Sequence, residues 1–327
     1  MTRCRLIIMS ALLLHPLLPP PLSAQPVQVE RLLDRPIITP EMDARMGSNI
    51  AGPSLIRVPD WIESPLGAYY LYFADHEGTY IRLAYADALE GPWTTHEPGT
   101  LRLDQSHFPT TCPPCAPDSA YVHIASPDVH IDEAARQIVM YVHGRDVGRQ
   151  VTRAATSADG LHFDGRPEIL GRPYFRAFRY DGYIYSLAMP GVFYRSRDGL
   201  TDFEEGPQLF TPDMRHSALL LRDNLLYVFF SERGAAPERI LVSTIDLRGD
   251  WRSWRASDPE EVLRPERRWE GADRPVEPSR GGSINEPVNQ LHDPAIFEED
   301  GRTYLLYAVA GERGIGLAEV HLSGALR

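Results

Sequence analysis

The sequence has 327 residues, of which 43% are hydrophobic, so the chain is long enough to bury a full core. Its 33 basic and 45 acidic residues give a formal charge of −12. Binding to nucleic acid or to an anionic membrane requires a basic surface that neutralises phosphates, so this composition argues against both classes of partner. A local basic pocket on an acidic surface stays compatible with it.

The first 24 residues have the pattern of a secretory signal peptide. Arg3 and Arg5 form a basic start, an apolar run follows over residues 6–14, and small residues up to Ala24 resemble a cleavage site. Prolines interrupt an apolar stretch that is already too short to span a bilayer. We therefore predict a signal peptide over 1–24, a mature chain over 25–327, and a periplasmic or secreted protein without membrane attachment. An uncleaved N-terminal anchor is the alternative.

Two cysteines remain after the predicted cleavage, Cys112 and Cys115, in a Pro-rich loop. An even pair in an oxidising compartment favours a local disulfide. A redox dithiol is the alternative, but such sites need a strand-to-helix turn, and no helical pattern follows this loop. No cysteine–histidine spacing typical of zinc occurs elsewhere, so we expect neither a metal nor a cofactor.

Five hairpin patterns follow one another along the chain. Each has a short apolar strand, a turn that often contains Asp-Gly or Asp-Asn, and a second strand rich in aromatic residues. In chain order they span residues 52–73, 126–141, 175–185, 215–230 and 291–307. A third strand follows most of them. Repeated antiparallel sheets of this kind predict an all-β, five-bladed β-propeller as a single domain over 25–327, with the segment 35–39 closing the ring on the last blade.

Two further segments have a recognisable pattern. A Ser-x-Asp-Gly-Leu phrase followed by a phenylalanine occurs at 157–163 and again at 196–203, which indicates a repeated strand-to-strand turn with an aromatic residue packed behind it. The segment 260–289 is charged, rich in Pro and Gly, and aperiodic, so it predicts a long crossing loop.

The openings of two hairpins, His292-Asp293-Pro294 and Ser126-Pro127-Asp128, together with the aromatic second strands, resemble the five-bladed propeller glycosidases. These are glycoside hydrolase family 43 and its relatives in families 32, 62, 68 and 117. The resemblance implies a general-base aspartate opening the first blade, an orienting aspartate in the second and a general-acid glutamate in the third. This sequence departs from that pattern, because residues 51–54 read Ala-Gly-Pro-Ser and residues 174–176 read Tyr-Phe-Arg.

Histidine, arginine and scattered acids stand at the blade openings instead. The innermost strands of a propeller begin at the same end of the central channel, so these side chains are expected to converge there. The predicted catalytic residues are Asp128, His216, Glu232, His292 and Asp293, and the predicted substrate-binding residues are Asp75, His76, His123, Arg176 and Arg215. A carboxylate beside an imidazole is suited to proton transfer near neutral pH, and arginine pairs with carboxylate or sulfate groups.

Structural explanations exist for several of these residues. Asp293 beside Pro294 is also typical of a turn, His216 on an apolar strand is also typical of a hydrogen-bonded core imidazole, and Glu232 could form a surface ion pair. His130, His143 and His162 are expected at the surface or in packing, so we do not count them as site residues.

The sequence therefore predicts an exported, monomeric glycoside hydrolase that acts on a poly- or oligosaccharide, acidic sugars included. One alternative is a polysaccharide lyase, in which a histidine or tyrosine removes a proton beside a carboxylate that arginine neutralises. A second alternative is a propeller that binds carbohydrate without cleaving it, which the missing first-blade aspartate favours.

Overall fold

The structure is a computed structural model that describes residues 26–112, 121–146 and 148–322. The predicted signal peptide and Cys115 lie outside the described residues. Within the described part, the chain forms twenty β-strands and five one-turn 3₁₀ helices, and no helix is long and apolar enough to cross a bilayer.

The strands are short and follow each other closely along the chain. In order they are β1 Val27–Arg31, β2 Ala51–Arg57, β3 Tyr69–Ala74, β4 Arg82–Ala86, β5 Thr94–His96, β6 Ile124–Asp132, β7 Gln137–Asp146, β8 Arg149–Ser157, β9 Asp164–Gly165, β10 Arg176–Tyr180, β11 Tyr183–Ala188, β12 Val192–Ser196, β13 Glu204–Gln208, β14 Met214–Arg222, β15 Leu225–Glu232, β16 Ile240–Asp246, β17 Glu260–Leu263, β18 His292–Glu299, β19 Arg302–Ala308 and β20 Ile315–Leu322. The 3₁₀ turns are Pro40–Met42, Ala44–Met46, Leu103–Gln105, Trp251–Ser253 and Arg268–Glu270.

These strands form five antiparallel sheets of four strands each, and the sheets are the blades of a propeller. Blades 1 to 4 run β2 to β5, β6 to β9, β10 to β13 and β14 to β17, and blade 5 has the order β1-β20-β19-β18. The first strands of blades 1 to 4, with β18 of blade 5, surround the central channel. The predicted all-β, five-bladed propeller is confirmed.

Local sequence explains the hairpins within the blades. Asp300 and Gly301 both have positive φ, 49° and 75°, and the flanking Glu299 and Arg302 form a cross-strand pair. Two consecutive residues with positive φ form a type I′ turn, whose twist matches that of the two flanking strands. Asp-Gly is one of the dipeptides that adopt this turn most readily. The Asp-Gly pair at 181–182 makes the same turn.

The ring closes through the N-terminal strand, as propellers require, but through a different segment from the one expected. β1 pairs antiparallel with β20 in blade 5. The predicted segment 35–39 contributes only an isolated bridge between Ile38 and Ile315. The prediction of this segment was wrong because Pro36 cannot donate a ladder hydrogen bond, whereas residues 27–31 alternate in burial as an outer strand does.

A β-bulge opens the inner strand of four blades. The register shifts occur after Ala51, Ala125, Arg215 and His292, and a residue with positive φ follows each of them. These residues are Gly52, Ser126, His216 and Asp293, with φ of 63°, 48°, 34° and 50°. Bulges redirect side chains and are frequent beside active sites. The left-handed residue of each bulge thus lies at the same height in the channel.

Apolar side chains fill the interfaces between neighbouring blades. Between blades 1 and 2, for example, Tyr70 and Tyr72 of β3 pack with Ile138 and Met140 of β7, all of them fully buried. Full burial of one such side chain stabilises a fold by about 1.5–3 kcal/mol. Because similar clusters occupy all five interfaces, the blade positions that carry polar residues at the channel are held rigidly.

A tyrosine of one blade binds the repeated turn of the next. The Tyr72 hydroxyl donates to the Gly160 carbonyl at 2.8 Å, and the Tyr141 hydroxyl donates to the Gly199 carbonyl at 2.8 Å. A Cβ on Gly160 would lie 2.9 Å from the Tyr72 hydroxyl, so the turn needs glycine there. The turn formed by the Ser-x-Asp-Gly-Leu motif therefore contributes a contact between neighbouring blades.

Candidate active site

A cavity of ≈ 230 Å³ lies at the end of the channel where the inner strands begin. Blades 1 to 4 contribute to its wall, through segments that precede the inner strands β6, β10 and β14 and segments that follow the second strands β3, β11 and β15. The segment between β17 and β18 adds Gly281 and Gly282. Its lining residues are His76, Tyr121, Gln150, Tyr174, Met189, Pro190, Pro212, Asp213, Met214, Arg215, His216, Arg233, Gly281 and Gly282. Three predicted site residues, His76, Arg215 and His216, thus face one cavity.

His216 is held by a carboxylate from the neighbouring blade. Its Nδ1 lies 2.5 Å from Oδ1 of Asp293, and Oδ2 of Asp293 accepts a hydrogen bond from the Gly52 amide at 3.0 Å. His216 lines the cavity and Asp293 does not, so the carboxylate can act on a ligand there only through the imidazole. The three left-handed bulge residues of blades 4, 5 and 1 are therefore joined in one hydrogen-bonded chain.

His76 has a similar arrangement with Glu312. Its Nδ1 lies 2.9 Å from Oε1 of Glu312, and Oε2 of the same carboxylate accepts from the Asn49 side-chain amide and, at 2.9 Å, from the Ile284 amide. Asn49 Oδ1 accepts in turn from the His76 amide at 2.9 Å. Glu312 is fully buried, so a second imidazole with a buried carboxylate behind it faces the cavity.

Arg215 provides a buried positive charge in the same wall. Its guanidinium donates to the Arg280 carbonyl at 3.0 Å, and its Nη1 lies 3.6 Å from Oε2 of Glu238. Glu238 accepts from the Ser231 hydroxyl at 2.6 Å through its other oxygen. The long Nη1–Oε2 separation leaves Arg215 with donors that are free to bind an anion in the cavity.

Burial and charge move the pKa values of the two histidines in opposite directions. Burial opposes protonation of His76, but the hydrogen bond and charge of Glu312 outweigh it and raise the pKa of His76. Burial dominates at His216 and lowers its pKa to about 4, with Asp293 acting against burial and Arg215 acting with it. Burial raises the pKa of the Asp293 carboxyl, but its hydrogen bond with His216 and the positive charge of Arg215 help to bring that pKa well below its usual range, so Asp293 accepts the Nδ1–H of His216 as a carboxylate.

A belt of six rings surrounds this end of the channel. The adjacent pairs are Tyr121–His123, His123–His143, His143–Tyr174, Tyr174–His216 and His216–His292, with ring centroids 3.9–5.3 Å apart. Burial lowers the pKa of His123 to about 4, and burial also holds the pKa of His143 well below its usual value. His123 thus lies behind Tyr121, and His292 lies behind His216 and within 3.4 Å of its Nδ1.

Asp128 and Arg176 lie elsewhere, at the junction of blades 2 and 3. Asp128 Oδ2 accepts from the Ala177 amide at 2.8 Å and is 2.7 Å from Nε2 of His130. Arg176 donates to the carbonyls of Pro127 and Ser217. The structure does not bring this pair to the cavity wall; the two residues join the blades.

Asp75 and Glu232 lie close to the site without lining the cavity. Asp75 accepts from the Glu77 amide at 2.9 Å in a turn and from Arg82 at 3.3 Å. Glu232 accepts from the Thr211 hydroxyl at 3.2 Å at the rim. Their proposed roles stay predictions.

Sequence reasoning missed Glu312 and Glu238, the two buried glutamates of the site. A signal for Glu312 exists, because Glu-Arg-Gly follows the second strand at 232–234 and again at 312–314. The sequence prediction named Glu232 of the first copy, whereas Glu312 of the second copy is the carboxylate that binds the cavity histidine His76. No comparable local signal marks Glu238, which lies in the short connection between β15 and β16.

The first-blade carboxylate that the glycosidase resemblance implies cannot be accommodated at Gly52. A Cβ at this position would lie 2.8 Å from Cα of Ser126. Asp293 occupies the adjacent place in the ring instead, since its carboxylate binds the Gly52 amide.

Two buried groups of side chains have donor atoms close enough to share a cation. The first set is His216, Glu238 and His292, and the second is His292, Asp293 and Glu312. Within each set, one donor atom per residue lies within 4.8 Å of the others. Imidazole and carboxylate donors suit zinc and similar divalent ions. The expectation of a metal-free protein stays a prediction.

A viral protein of similar length shows which family the chain belongs to. "Uncharacterized protein R118" of Acanthamoeba polyphaga mimivirus is 38% identical over an alignment of 301 residues, and the match covers 83% of this chain and 83% of that protein. The chain belongs to the family of this viral protein. No protein-family model matches the sequence.

Solved structures with the same fold include several glycoside hydrolases. The GH43_1 enzyme of Xanthomonas citri, solved with xylose, has a TM-score of 0.55 at 12% identity and covers 87% of this chain and 89% of its own. A thermostable family-43 glycoside hydrolase has a TM-score of 0.54 at 14% identity, covering 85% and 91%. An endo-1,4-beta-xylanase from Bacteroides thetaiotaomicron has the same score and identity, covering 83% and 89%. The resemblance to the five-bladed propeller glycosidases is thus confirmed at the level of the fold.

Proposed function

We propose that this protein cleaves a glycosidic bond in a carbohydrate bound at the channel mouth, with histidines in the proton-transfer roles. The observation that carries the proposal is that His76 and His216 line one cavity and that each is hydrogen-bonded to a buried carboxylate. The shared fold with glycoside hydrolases supports carbohydrate as the substrate class.

Each side chain has a defined role in this reaction. His76, whose Nδ1 is hydrogen-bonded to Glu312, donates a proton to the oxygen that leaves. His216, whose Nδ1–H is fixed by Asp293, uses its second nitrogen to take a proton from the attacking water. In hydrolysis the water oxygen bonds to the anomeric carbon as the bond to the leaving oxygen breaks. Arg215 binds a carboxylate or sulfate group of an acidic sugar.

A β-elimination on a uronic acid is the second candidate, and the identity of the cavity-facing groups favours it. Neither Asp293 nor Glu312 lines the cavity, and Asp213, the carboxylate that does, is ion-paired with Arg233, so the cavity offers imidazoles in place of the usual pair of unpaired carboxylates. Arg215 would neutralise the uronate, His216 would remove the proton on the adjacent carbon, and His76 would protonate the departing oxygen. The product then carries a carbon–carbon double bond and incorporates no water.

Product analysis on a panel of neutral and uronic oligosaccharides tests both reactions. Hydrolysis in ¹⁸O-labelled water places one heavy oxygen in the product, whereas elimination yields ultraviolet absorbance without the label. Either result should be lost in His76→Ala and His216→Ala and kept in the control His162→Ala, because His162 is exposed on the repeated turn. Carbohydrate binding without any product would leave only the non-catalytic alternative, and normal turnover by both histidine variants would refute the assigned roles.

A further inference from the structure

A second, larger groove adjoins the cavity at the seam between blades 2 and 3. It has a volume of ≈ 530 Å³ and shares Gln150 and Met189 with the cavity. Its other lining residues are Arg149, Val151, Ile169, Leu170, Gly171, Arg172, Pro173, Tyr194 and Glu205. Because two side chains line both spaces, a ligand that fills the cavity can continue into the groove.

Size supports joint use of the two spaces. The cavity alone, at ≈ 230 Å³, is smaller than the range of roughly 300–1,000 Å³ that is usual for small-molecule sites. Together with the groove it falls within that range. A single sugar unit fits the scale of the cavity, whereas a chain of several units fits the scale of both.

The groove is basic although the protein is acidic. Arg149 is exposed at the first position of β8, and no carboxylate among the described residues forms an ion pair with it. Arg172 is half-exposed, and its guanidinium is 3.8 Å from Glu205, which itself accepts from the Tyr194 hydroxyl at 2.6 Å. Two arginines with weak or no internal partners retain most of their donors for a ligand.

Apolar side chains line the groove together with these arginines. Ile169 is one of the few large hydrophobic side chains that are clearly exposed, at 45%, and Pro173 and Met189 line the same groove. Sugar rings present apolar C–H faces together with polar edges, so a groove lined by both apolar side chains and arginines matches a sugar chain with anionic substituents.

We propose that the cavity and this groove form one cleft that binds an anionic polysaccharide chain, with Arg149 and Arg172 contacting charged groups of the units beyond the reacting one. The proposal rests on the proposed function for the choice of a carbohydrate. It adds that the substrate is a charged polymer and that specificity for chain length resides in blades 2 and 3.

Calorimetric titration tests the proposal. Every protein titrated, including the one called wild type in this comparison, also carries His216→Ala, so that no bond is cleaved. The probes are tetrasaccharides of galacturonate, mannuronate and guluronate, a sulfated tetrasaccharide, the corresponding monosaccharides, and neutral xylotetraose. At least one charged tetrasaccharide should bind at least about tenfold more tightly than its own monosaccharide. Arg149→Ala/Arg172→Ala should weaken that tetrasaccharide by about 5- to 30-fold at low salt and leave the monosaccharide unchanged, since exposed charge pairs contribute modestly and are screened.

The matched control is Arg179→Ala/Arg268→Ala, which removes the same charge from two exposed arginines that line neither space. It should bind every probe as the wild type does. Equal affinity for tetrasaccharides and monosaccharides, equal loss in the control, or tightest binding of xylotetraose would each overturn the proposal. Because no bond is cleaved in this experiment, its failure would leave the proposed reaction standing, and a positive result would survive a failure of the assigned acid and base.

Discussion

At the scale of single residues, the site depends on buried carboxylates that act through histidines. Asp293 and Glu312 keep their charge because hydrogen bonds and nearby positive groups outweigh the cost of burial, and the pKa of each carboxyl lies below its usual value. A buried charge without such partners would be strongly destabilising. Each carboxylate can therefore fix the tautomer and orientation of its histidine.

Replacing Asp293 with asparagine tests this positioning role. Asn keeps the shape but offers a weaker acceptor to the Nδ1–H of His216, so the imidazole loses its fixed tautomer. We expect kcat on an identified substrate to fall by at least about 10²-fold, in line with the loss of a general acid or base. The exposed turn residue Asp223, changed to Asn, serves as the control and should keep full activity. Nuclear magnetic resonance of the His216 ring nitrogens should show a changed tautomer in Asp293→Asn, which a purely structural role would not produce.

A comparison of alanine substitutions at Gly52 and Gly47 separates the effect of a steric collision on stability from the effect of backbone strain. Both have positive φ, 63° and 67°, but a Cβ on Gly52 would collide with Ser126, whereas Gly47 has open space around it. Gly52→Ala should therefore lower the free energy of unfolding by about 1–3 kcal/mol more than Gly47→Ala does, because only the first adds overpacking to the shared strain. Urea unfolding measures both. Equal losses would mean that the channel wall relaxes and that a first-blade side chain is tolerated.

At the scale of elements, the tyrosine-to-turn contacts join successive blades. Tyr72→Phe and Tyr141→Phe each leave a buried turn carbonyl without its donor. We expect each change to reduce the free energy of unfolding by about 1–3 kcal/mol. Tyr85→Phe is the control, because the Tyr85 hydroxyl makes no hydrogen bond within the described part of the chain. If Tyr72→Phe and Tyr141→Phe unfold like this control, the contacts are incidental to packing.

The two repeated turns also predict how stability depends on pH. Burial raises the pKa of Asp159 and of Asp198, but hydrogen bonds from the following backbone amides outweigh it and lower each pKa to about 2. A depressed folded-state pKa means that the stabilisation is present above the unfolded value near 3.8 and is lost as the pH falls toward 2. The melting temperature of Asp159→Asn/Asp198→Asn should therefore fall less than that of the wild type between pH 4.5 and pH 2.5. A parallel decline of the two proteins would assign the acid sensitivity to other carboxylates.

At the scale of the whole molecule, ring closure fixes the relation of the last blade to the first. Strand β1 completes blade 5, and Arg31 at its end binds Glu270 at 2.8 Å, which also accepts from the Tyr307 hydroxyl at 3.0 Å. Glu270 belongs to the segment between β17 and β18, the same segment that supplies Gly281 and Gly282 to the cavity wall. The segment that supplies part of the cavity wall is therefore bound, through Glu270, to the strand that closes the ring.

Export remains a proposal that belongs to the molecule as a whole. The basic, apolar and small-residue pattern of 1–24 should direct secretion, with cleavage near Ala24 and oxidation of Cys112 and Cys115 to a disulfide. Intact-mass analysis of protein recovered from the periplasm or medium measures both events. A mass that retains 1–24, or two titratable thiols in the native protein, would contradict the proposal. Size-exclusion chromatography with light scattering tests the expected monomer.

The sequence by itself determined the architecture of this protein, because local chemistry specifies its units. Asp-Gly turns and alternating aromatic strands define each hairpin without reference to the rest of the chain, and five such units can bury their faces only against one another. The approach of Arg215, His216 and Asp293 to one another also followed from the sequence, since they stand at the openings of two inner strands beside the channel, whereas Asp128 and Arg176 at two other openings join blades instead.

Only the tertiary structure decided which acids serve the site. Asp128 and Asp293 stand in similar Pro-containing openings, yet Asp128 is two positions beyond the left-handed bulge residue and Asp293 is the bulge residue itself. Both carboxylates accept from an amide of the next blade, but Asp128 pairs with His130 of its own strand, whereas Asp293 pairs with the cavity histidine His216. The choice of Glu312 over Glu232 was likewise decided in three dimensions, because it depends on which loop lies opposite His76. Sequence periodicity specifies which face of a strand is buried, but the partner across a channel is set by the closure of the whole ring.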